Sequence, residues 1–419
     1  MAAWRDGNSG QFEHSLPNTY SNPSYRPPPP YPTQLSHPFP FPAHLPDLRP
    51  LHVHLFCFYQ FDWFWIWFDI SYRRLAVHRH GDRAPSFSYP LDPYKGESFW
   101  PEGLGNLLQK GKVRMYEFGL FLRRRYGGFI SSKYSAAETY VISSIRNRCL
   151  MSAELVLAGL YPPDGIQIWN QDLPWQPIPV HSIPTPCDDM IRVTKHCWLL
   201  SKETEQWKIF LNEEVNKDQA FLSYLSKSTG VECKTMEDIN RIKDNLNVVR
   251  QQGLPLPKWA DDVYPNKIYS FTNLKSLHQR QSSTMIKLSS GVLINEILTN
   301  MKRKLDLTDS FDRRLHLYSA HDMVLVNLWR GMNFSQEITE PPPYAAALIF
   351  ELHEIEDKYR VRVLYKTGGS DNDLSVLTVR GCEKDERNND GMCDIDTLSF
   401  ALRSVIITDF DEACQNQNH

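Results

Sequence analysis

Three things are scarce in these 419 residues: an excess of one charge, clustered cysteine, and a long aliphatic run. Lys and Arg number 46 against 49 Asp and Glu, a formal net charge of −3, so there is no electrostatic case for a nucleic-acid partner. Eight cysteines are too few for a disulfide scaffold in a chain this long, and none stands in a Cys-x-x-Cys pair that would suggest zinc. The apolar stretch from Leu55 to Ile70 is shorter than a membrane span and contains Gln60, Asp62 and Asp69. No hydrophobic tail follows residue 404, so a C-terminal membrane anchor is not expected. Internal repeats are absent as well.

Proline is abundant at one end. Residues 1–50 hold 12 of the 29 prolines, including the run Pro27 to Pro30, a composition that reads as disordered or polyproline-like. An unstructured tail is the plainer reading, and a ligand for a proline-binding module the sharper one. Leu55 to Ile70 then carries nine aromatics in sixteen residues. A secretory signal would lie nearer the start and use Leu and Ala more than Trp, so this segment receives no role. Residues 1–72 are read together as a leader, either disordered or mis-assigned upstream of the true start. Beyond it, strand-like runs (Thr139 to Ile142, Leu315 to Ser319, Ala345 to Leu352, Tyr359 to Tyr365) alternate with helical patterns (Leu107 to Tyr126, Leu150 to Leu160, Met285 to Leu305). That alternation argues for an α/β domain. The length suits a main domain with a large insertion. Residues 170–280 turn polar and helical and read as an inserted helical cap, leaving 73–169 and 281–419 as the α/β domain.

Residues 79–85, Arg-His-Gly-Asp-Arg-Ala-Pro, say most about chemistry. Arg79 and Arg83 offer planar, paired donors that fit phosphate oxygens and stay charged at any working pH. An imidazole between two guanidiniums is a poor structural filler, because its charged form would be repelled. As a neutral nucleophile aimed at a bound phosphate, His80 makes sense. Gly81 lets the backbone approach a ligand, and Pro85 stops a helix from starting. A solvated basic loop is the plainer alternative. More than 200 residues later, Leu315 to Ser319 reads as a strand that ends in His321-Asp322. Ligands gather at the carboxyl ends of strands in an open α/β sheet, so the two segments can meet at one site.

The first segment resembles the signature of the histidine phosphatase superfamily, in its acid phosphatase branch of lysosomal and prostatic type. The distant His-Asp pair is similar to that branch too. So are Trp100-Pro101-Glu102-Gly103, Tyr116 to Gly119, Arg123 to Tyr126, Arg148 to Ala153, Gly291 to Leu298 and Pro342 to Ala345. The likeness runs from about Leu75 to the C-terminus. Two positions depart from the family pattern: His78 stands before the first Arg, and Ile142-Ser143-Ser144 replaces a segment that carries an additional Arg.

The resemblance implies a phosphoglycerate mutase-like fold, with a central mainly parallel sheet flanked by helices. It implies an acid phosphatase that hydrolyses phosphate monoesters through a phosphohistidine, without metal or cofactor. His80 would be the nucleophile. Arg79, Arg83 and Arg148, joined by His321, would hold the phosphate oxygens, with Arg146 the alternative to Arg148. Asp322 would protonate the leaving alcohol and then help activate water. Asp82, His78 and His316 are read as structural. The likeness also favours a disulfide between Cys382 and Cys393, hence an oxidising compartment on the secretory route, lysosomal or extracellular. Asn333-Phe334-Ser335 is a glycosylation acceptor compatible with that route. Expected partners are a small phosphomonoester or a phosphoprotein, and a second copy of the chain in a homodimer. Competing readings are a phosphomutase, against which Asp322 argues, an inositol polyphosphate phosphatase, marked by a basic pocket lining, and an inactive binding protein using the proline-rich tail.

Overall fold

The computed structural model describes residues 70–276, 282–303, 313–368, 373–383 and 391–415. The leader as far as residue 69, and Leu305, lie outside them. Chain order runs β1 (Ile70–Arg79), α1 (Gln109–Tyr126), β2 (Thr139–Ser144), α2 (Asn147–Leu160) and β3 (His181–Ile183). Four helices follow: α3 (Trp198–Asn216), α4 (Gln219–Thr229), α5 (Met236–Gln251) and α6 (Asn266–Ser276). Then come α7 (Ser283–Lys302), β4 (Leu315–Ala320), α8 (Asp322–Gly331), β5 (Ala347–Ile355) and β6 (Lys358–Lys366). The chain closes with β7 (Leu374–Leu377), β8 (Met392–Asp394), α9 (Ile395–Leu402) and α10 (Phe410–Gln415).

The strands form one sheet in the order β3-β2-β4-β1-β5-β6-β7, with β8 beside β6. β3, β2, β4 and β1 are mutually parallel, and β6 points the same way through two antiparallel steps across β5. The protein is therefore mixed α/β, with a central sheet of mostly parallel strands flanked by helices.

β1 lies in the middle because its apolar residues can be buried on both faces, as a central parallel strand requires. Leu75 and Val77 point into one core with Tyr318, Phe350 and helices α7, α8 and α9. Ala76, one residue out of phase, joins the other core with Leu317, Ile349 and helices α1 and α2. This period of two sets both layers from a single strand. Large aliphatic side chains such as Leu75 and Val77 contribute about 1.5–3 kcal/mol each on burial.

Helices α3 to α6 share a separate core that includes Leu211, Leu225, Ile242, Leu246 and Ile268. Local chemistry starts and stops them. Asp218 caps α4, Thr235 and Asp238 form a capping box on α5, and Gly230 ends α4 at φ +75°.

Two boundaries differ from the sequence reading. β1 begins at Ile70, so three residues assigned to the leader are strand, paired as Ile70 with Glu354 and Ser71 with His353. β3 lies inside the segment read as the helical cap, yet it extends the central sheet beside β2. At three residues it is too short for a periodic signal.

Two disulfides are present among the described residues. Cys382–Cys393 is the expected one, and Cys197–Cys414 joins the start of α3 to α10 across 217 residues of sequence. No described helix is long and apolar enough to cross a membrane.

Candidate active site

Three adjacent parallel strands, β2, β4 and β1, present their carboxyl ends side by side. β1 delivers Arg79 as its last residue, opposite Ala320 at the end of β4. His80 continues from β1, its N–H donating to Ala320 O at 3.1 Å. β4 runs on into His321, which precedes Asp322 at the start of α8. β2 ends at Ser144, and Arg148 lies in the first turn of α2. The parallel pairing thus gathers the six residues assigned from the sequence to catalysis and phosphate binding: Arg79, His80, Arg83, Arg148, His321 and Asp322.

His80 is buried, 2 % exposed. Its Nδ1 lies 2.9 Å from Gly81 O, and Arg148 Nε donates to its Nε2 at 3.0 Å. Both contacts fit one tautomer, with the proton on Nδ1 and a lone pair on Nε2 facing the cleft. Burial, with Arg79 and Arg148 adding to it, holds the imidazole well below its ordinary pKa. His321 packs edge-on against it at 5.5 Å between ring centres. Burial and Arg148 push His321 down to about 3. Its Nε2 meets Ser144 Oγ at 3.0 Å. Cys149 Sγ lies 3.7 Å away, a thiol that burial raises to about 12.

The arginines are held by different means. Arg79 Nη2 pairs with Asp322 Oδ2 at 3.0 Å, Nη1 donates to Pro342 O at 2.7 Å, and the guanidinium lies 4.1 Å over the Tyr344 ring. Arg83 grips Asp244 of α5 with both terminal nitrogens, at 3.0 and 2.7 Å. The Nε atoms of Arg79 and Arg83 are buried and have no hydrogen-bond partner. Burial acts to raise Asp322, but Arg79 and Arg83 outweigh it and keep the carboxyl below its ordinary value.

Two cavities open from these residues. One, of about 420 Å³, is lined by His80, Arg148, Arg192 and His321 and reaches toward α3 and α7. The other, of about 610 Å³, is lined by Arg79, Tyr344 and residues of α5 and α6. Arg83 and Asp322 border both.

Asp82 pairs with Arg114 Nε at 3.0 Å, a structural contact. His78 is buried against Phe118, and His316 against Tyr140 and Tyr318, away from the cleft. Arg146 is the N-cap residue of α2 and is exposed. Asn333 is exposed, with φ +51°.

Sequence reasoning assigned no role to Asp244, Tyr344, Ser144 or Cys149. Tyr344 had a signal, because its Pro-Pro-Tyr-Ala segment stood out. Asp244 had none, since one acid in a polar helix reads as a solvated charge.

The profile of the histidine phosphatase superfamily (branch 2) matches residues 75–366, well over half of the chain. Lysosomal acid phosphatase of Homo sapiens is 34% identical over 349 residues, covering 81% of this chain and 79% of the relative. Prostatic acid phosphatase of Bos taurus is 33% identical over 354 residues, 82% and 87% of the two chains. Among solved structures, a Hafnia alvei phytase in complex with tartrate superposes with a TM-score of 0.60 at 18% identity, covering 83% of this chain and 98% of that one. That last likeness speaks for the fold alone. The chain belongs to the histidine phosphatase superfamily, branch 2.

Proposed function

We propose that this chain is an acid phosphatase that hydrolyses phosphate monoesters in two steps through a phosphohistidine at His80. The observation that carries the reading is the convergence of a buried, neutral imidazole with three guanidiniums, two of which keep a buried Nε without a partner. A phosphate group supplies the acceptors those donors lack.

Arg79, Arg83 and Arg148 take the non-bridging oxygens, with His321 beside them. Arg148, now hydrogen-bonded to His80 Nε2, turns to the phosphate as the lone pair meets phosphorus. The P–N bond forms as the ester P–O bond breaks, and Asp322 gives its proton to the departing oxygen. Asp322 then takes a proton from water as that water attacks phosphorus and releases His80. The guanidiniums supply the charge stabilisation along the way.

Residues 198–276 are the helical cap of this reading, supported by their own core and by the α5 and α6 residues lining the larger cavity. That cavity carries Arg241 and Lys243, but also Glu237 and Glu340. The mixed lining favours simple monoesters over a highly charged inositol polyphosphate. Two disulfides support a secretory location, lysosomal or extracellular, and the exposed Asn333 fits glycosylation there. A phosphoprotein substrate and a homodimer rest on family likeness.

Turnover of p-nitrophenyl phosphate, with rapid-quench trapping of acid-labile phosphoenzyme, tests the reading. Trapping is expected with the parent and not with His80→Ala. A phosphoenzyme that survives His80→Ala moves the nucleophile elsewhere, and no turnover by the parent leaves the inactive binding protein as the answer.

A further inference from the structure

The contact between α5 and the Arg-His-Gly segment is more specific than a lid needs. Arg241, Asp244, Asn245, Val248 and Val249 recur at helical spacing, so they share one face of α5. That face meets the loop after the segment at every step. Arg241 lies 3.7 Å over the Phe87 ring. Asn245 Nδ2 donates to Phe87 O at 3.2 Å and to Asp92 Oδ2 at 2.7 Å. Val248 and Val249 pack with Ala84, Trp100 and Leu108. The opposite face, with Ile239, Ile242 and Leu246, belongs to the core shared by α3 to α6.

Asp244 sits at the centre of this seam. Its Oδ1 accepts from Arg83 Nη2 at 2.7 Å. Its Oδ2 accepts from Arg83 Nη1 at 3.0 Å, from Ser86 N–H at 3.0 Å and from Ser86 Oγ at 2.7 Å. Four donors on one largely buried carboxylate fix its orientation, and a bidentate pair fixes the plane of the guanidinium. Arg83 Nη1 also reaches Ala84 O at 3.0 Å, which leaves the partnerless Nε as its buried free donor.

From this geometry we infer that Asp244 is a positioning residue for phosphoryl transfer, through which the helical segment sets the plane of Arg83. This rests on the phosphatase reading above. The physical reason is preorganisation. A guanidinium already held when charge develops costs no reorganisation in the transition state, whereas a free one does. The carboxylate also cancels charge next to the cleft, so it opposes binding of the phosphate anion. Losing it should therefore harm the chemical step more than ground-state binding, a division that general loosening of the fold does not produce.

The experiment compares the parent with Asp244→Asn and Asp244→Glu, measuring kcat on p-nitrophenyl phosphate and inhibition by inorganic phosphate. Asp244→Asn is expected to lower kcat at least tenfold, with the phosphate inhibition constant unchanged or smaller. Asp244→Glu, which keeps the charge, should recover part of the loss. A folded Asp244→Asn variant with kcat within twofold of the parent overturns the proposal. So does loss of kcat and of phosphate affinity in equal measure. Should Asp244→Asn not fold, the same two readings on Asp244→Glu decide, since its longer arm shifts the guanidinium while keeping the ion pair. A parent without turnover would overturn the phosphatase reading itself, and the clamp with it. An active parent with an indifferent Asp244 variant overturns the clamp alone.

Discussion

Asp322 and Arg79 form an ion pair, Oδ2 to Nη2 at 3.0 Å, so the carboxyl proposed to donate a proton is ionised and engaged before substrate arrives. Burial raises its pKa, yet Arg79 and Arg83 outweigh burial and hold it below the ordinary value of 3.8. A phosphate group on those same guanidiniums cancels that pull and lets the carboxyl take up a proton. His80 meanwhile stays unprotonated well below 6.5, because burial and the flanking arginines oppose its charged form. Substrate binding thus prepares both groups under acid conditions.

The proton donor should reveal itself through the leaving group. Asp322→Ala removes the proton source, which matters most when the departing alcohol is a poor leaving group. Alkyl phosphates should lose about 10²–10⁴-fold in kcat, the usual worth of a general acid, and phosphates of acidic phenols far less. A leaving-group series measured on parent and variant checks this. Equal losses along the series would assign the proton to another residue.

Acid tolerance of the fold should depend on Glu351 of β5, which pairs in register with Arg74 of β1. Arg125 Nε and Nη2 donate to it at 3.1 and 2.9 Å, Tyr126 Oη at 2.7 Å, and Arg74 lies 3.9 Å away. Burial raises its pKa, but His353, Arg74 and Arg125 more than reverse this, so the folded-state value lies far below the ordinary 4.5. The stabilisation is fully present above 4.5 and fades as pH falls from there toward the folded value. Glu351→Gln should cost about 3–5 kcal/mol at neutral pH, the usual effect of breaking a buried pair. Denaturant titrations should show the gap to the parent narrowing below pH 4.5. A gap independent of pH would mean the carboxylate is not the source.

Packing of α1 against the Arg-His-Gly segment leaves no room for a methyl group. A Cβ on Gly111 would fall 2.1 Å from Asp82 O, and one on Gly81 would fall 2.5 Å from Gly111 O. The atoms in the way are backbone, which cannot rotate aside. Gly111→Ala should destabilise the fold by about 1–3 kcal/mol, typical of overpacking, and lower kcat by displacing His80 and Arg83. Thermal denaturation together with kcat on p-nitrophenyl phosphate reads both effects. A variant with parental stability and rate would show that the loop yields without cost.

Much was legible in the sequence because it was local. Leu75-Ala76-Val77 declares a doubly buried strand by composition. The Arg-His-Gly-x-Arg-x-Pro spacing and the strand-terminal His321-Asp322 declare site chemistry without reference to anything distant. Strand pairing across a parallel sheet then brings the carboxyl ends together, so those residues could be named in advance. β3 escaped notice because three residues carry no period, and Cys197–Cys414 because a pairing across 217 residues has no local signal. The roles of Asp244 and Tyr344 were decided by tertiary structure, although the Pro-Pro-Tyr-Ala segment had already marked the neighbourhood of Tyr344. A carboxylate on a polar helix and a tyrosine after prolines acquire meaning only when folding places one in the fork of Arg83 and the other beneath the guanidinium of Arg79. Which residues could do the chemistry was written in order along the chain. What holds them in position depends on contacts between segments more than 150 residues apart, and those exist only in the folded protein.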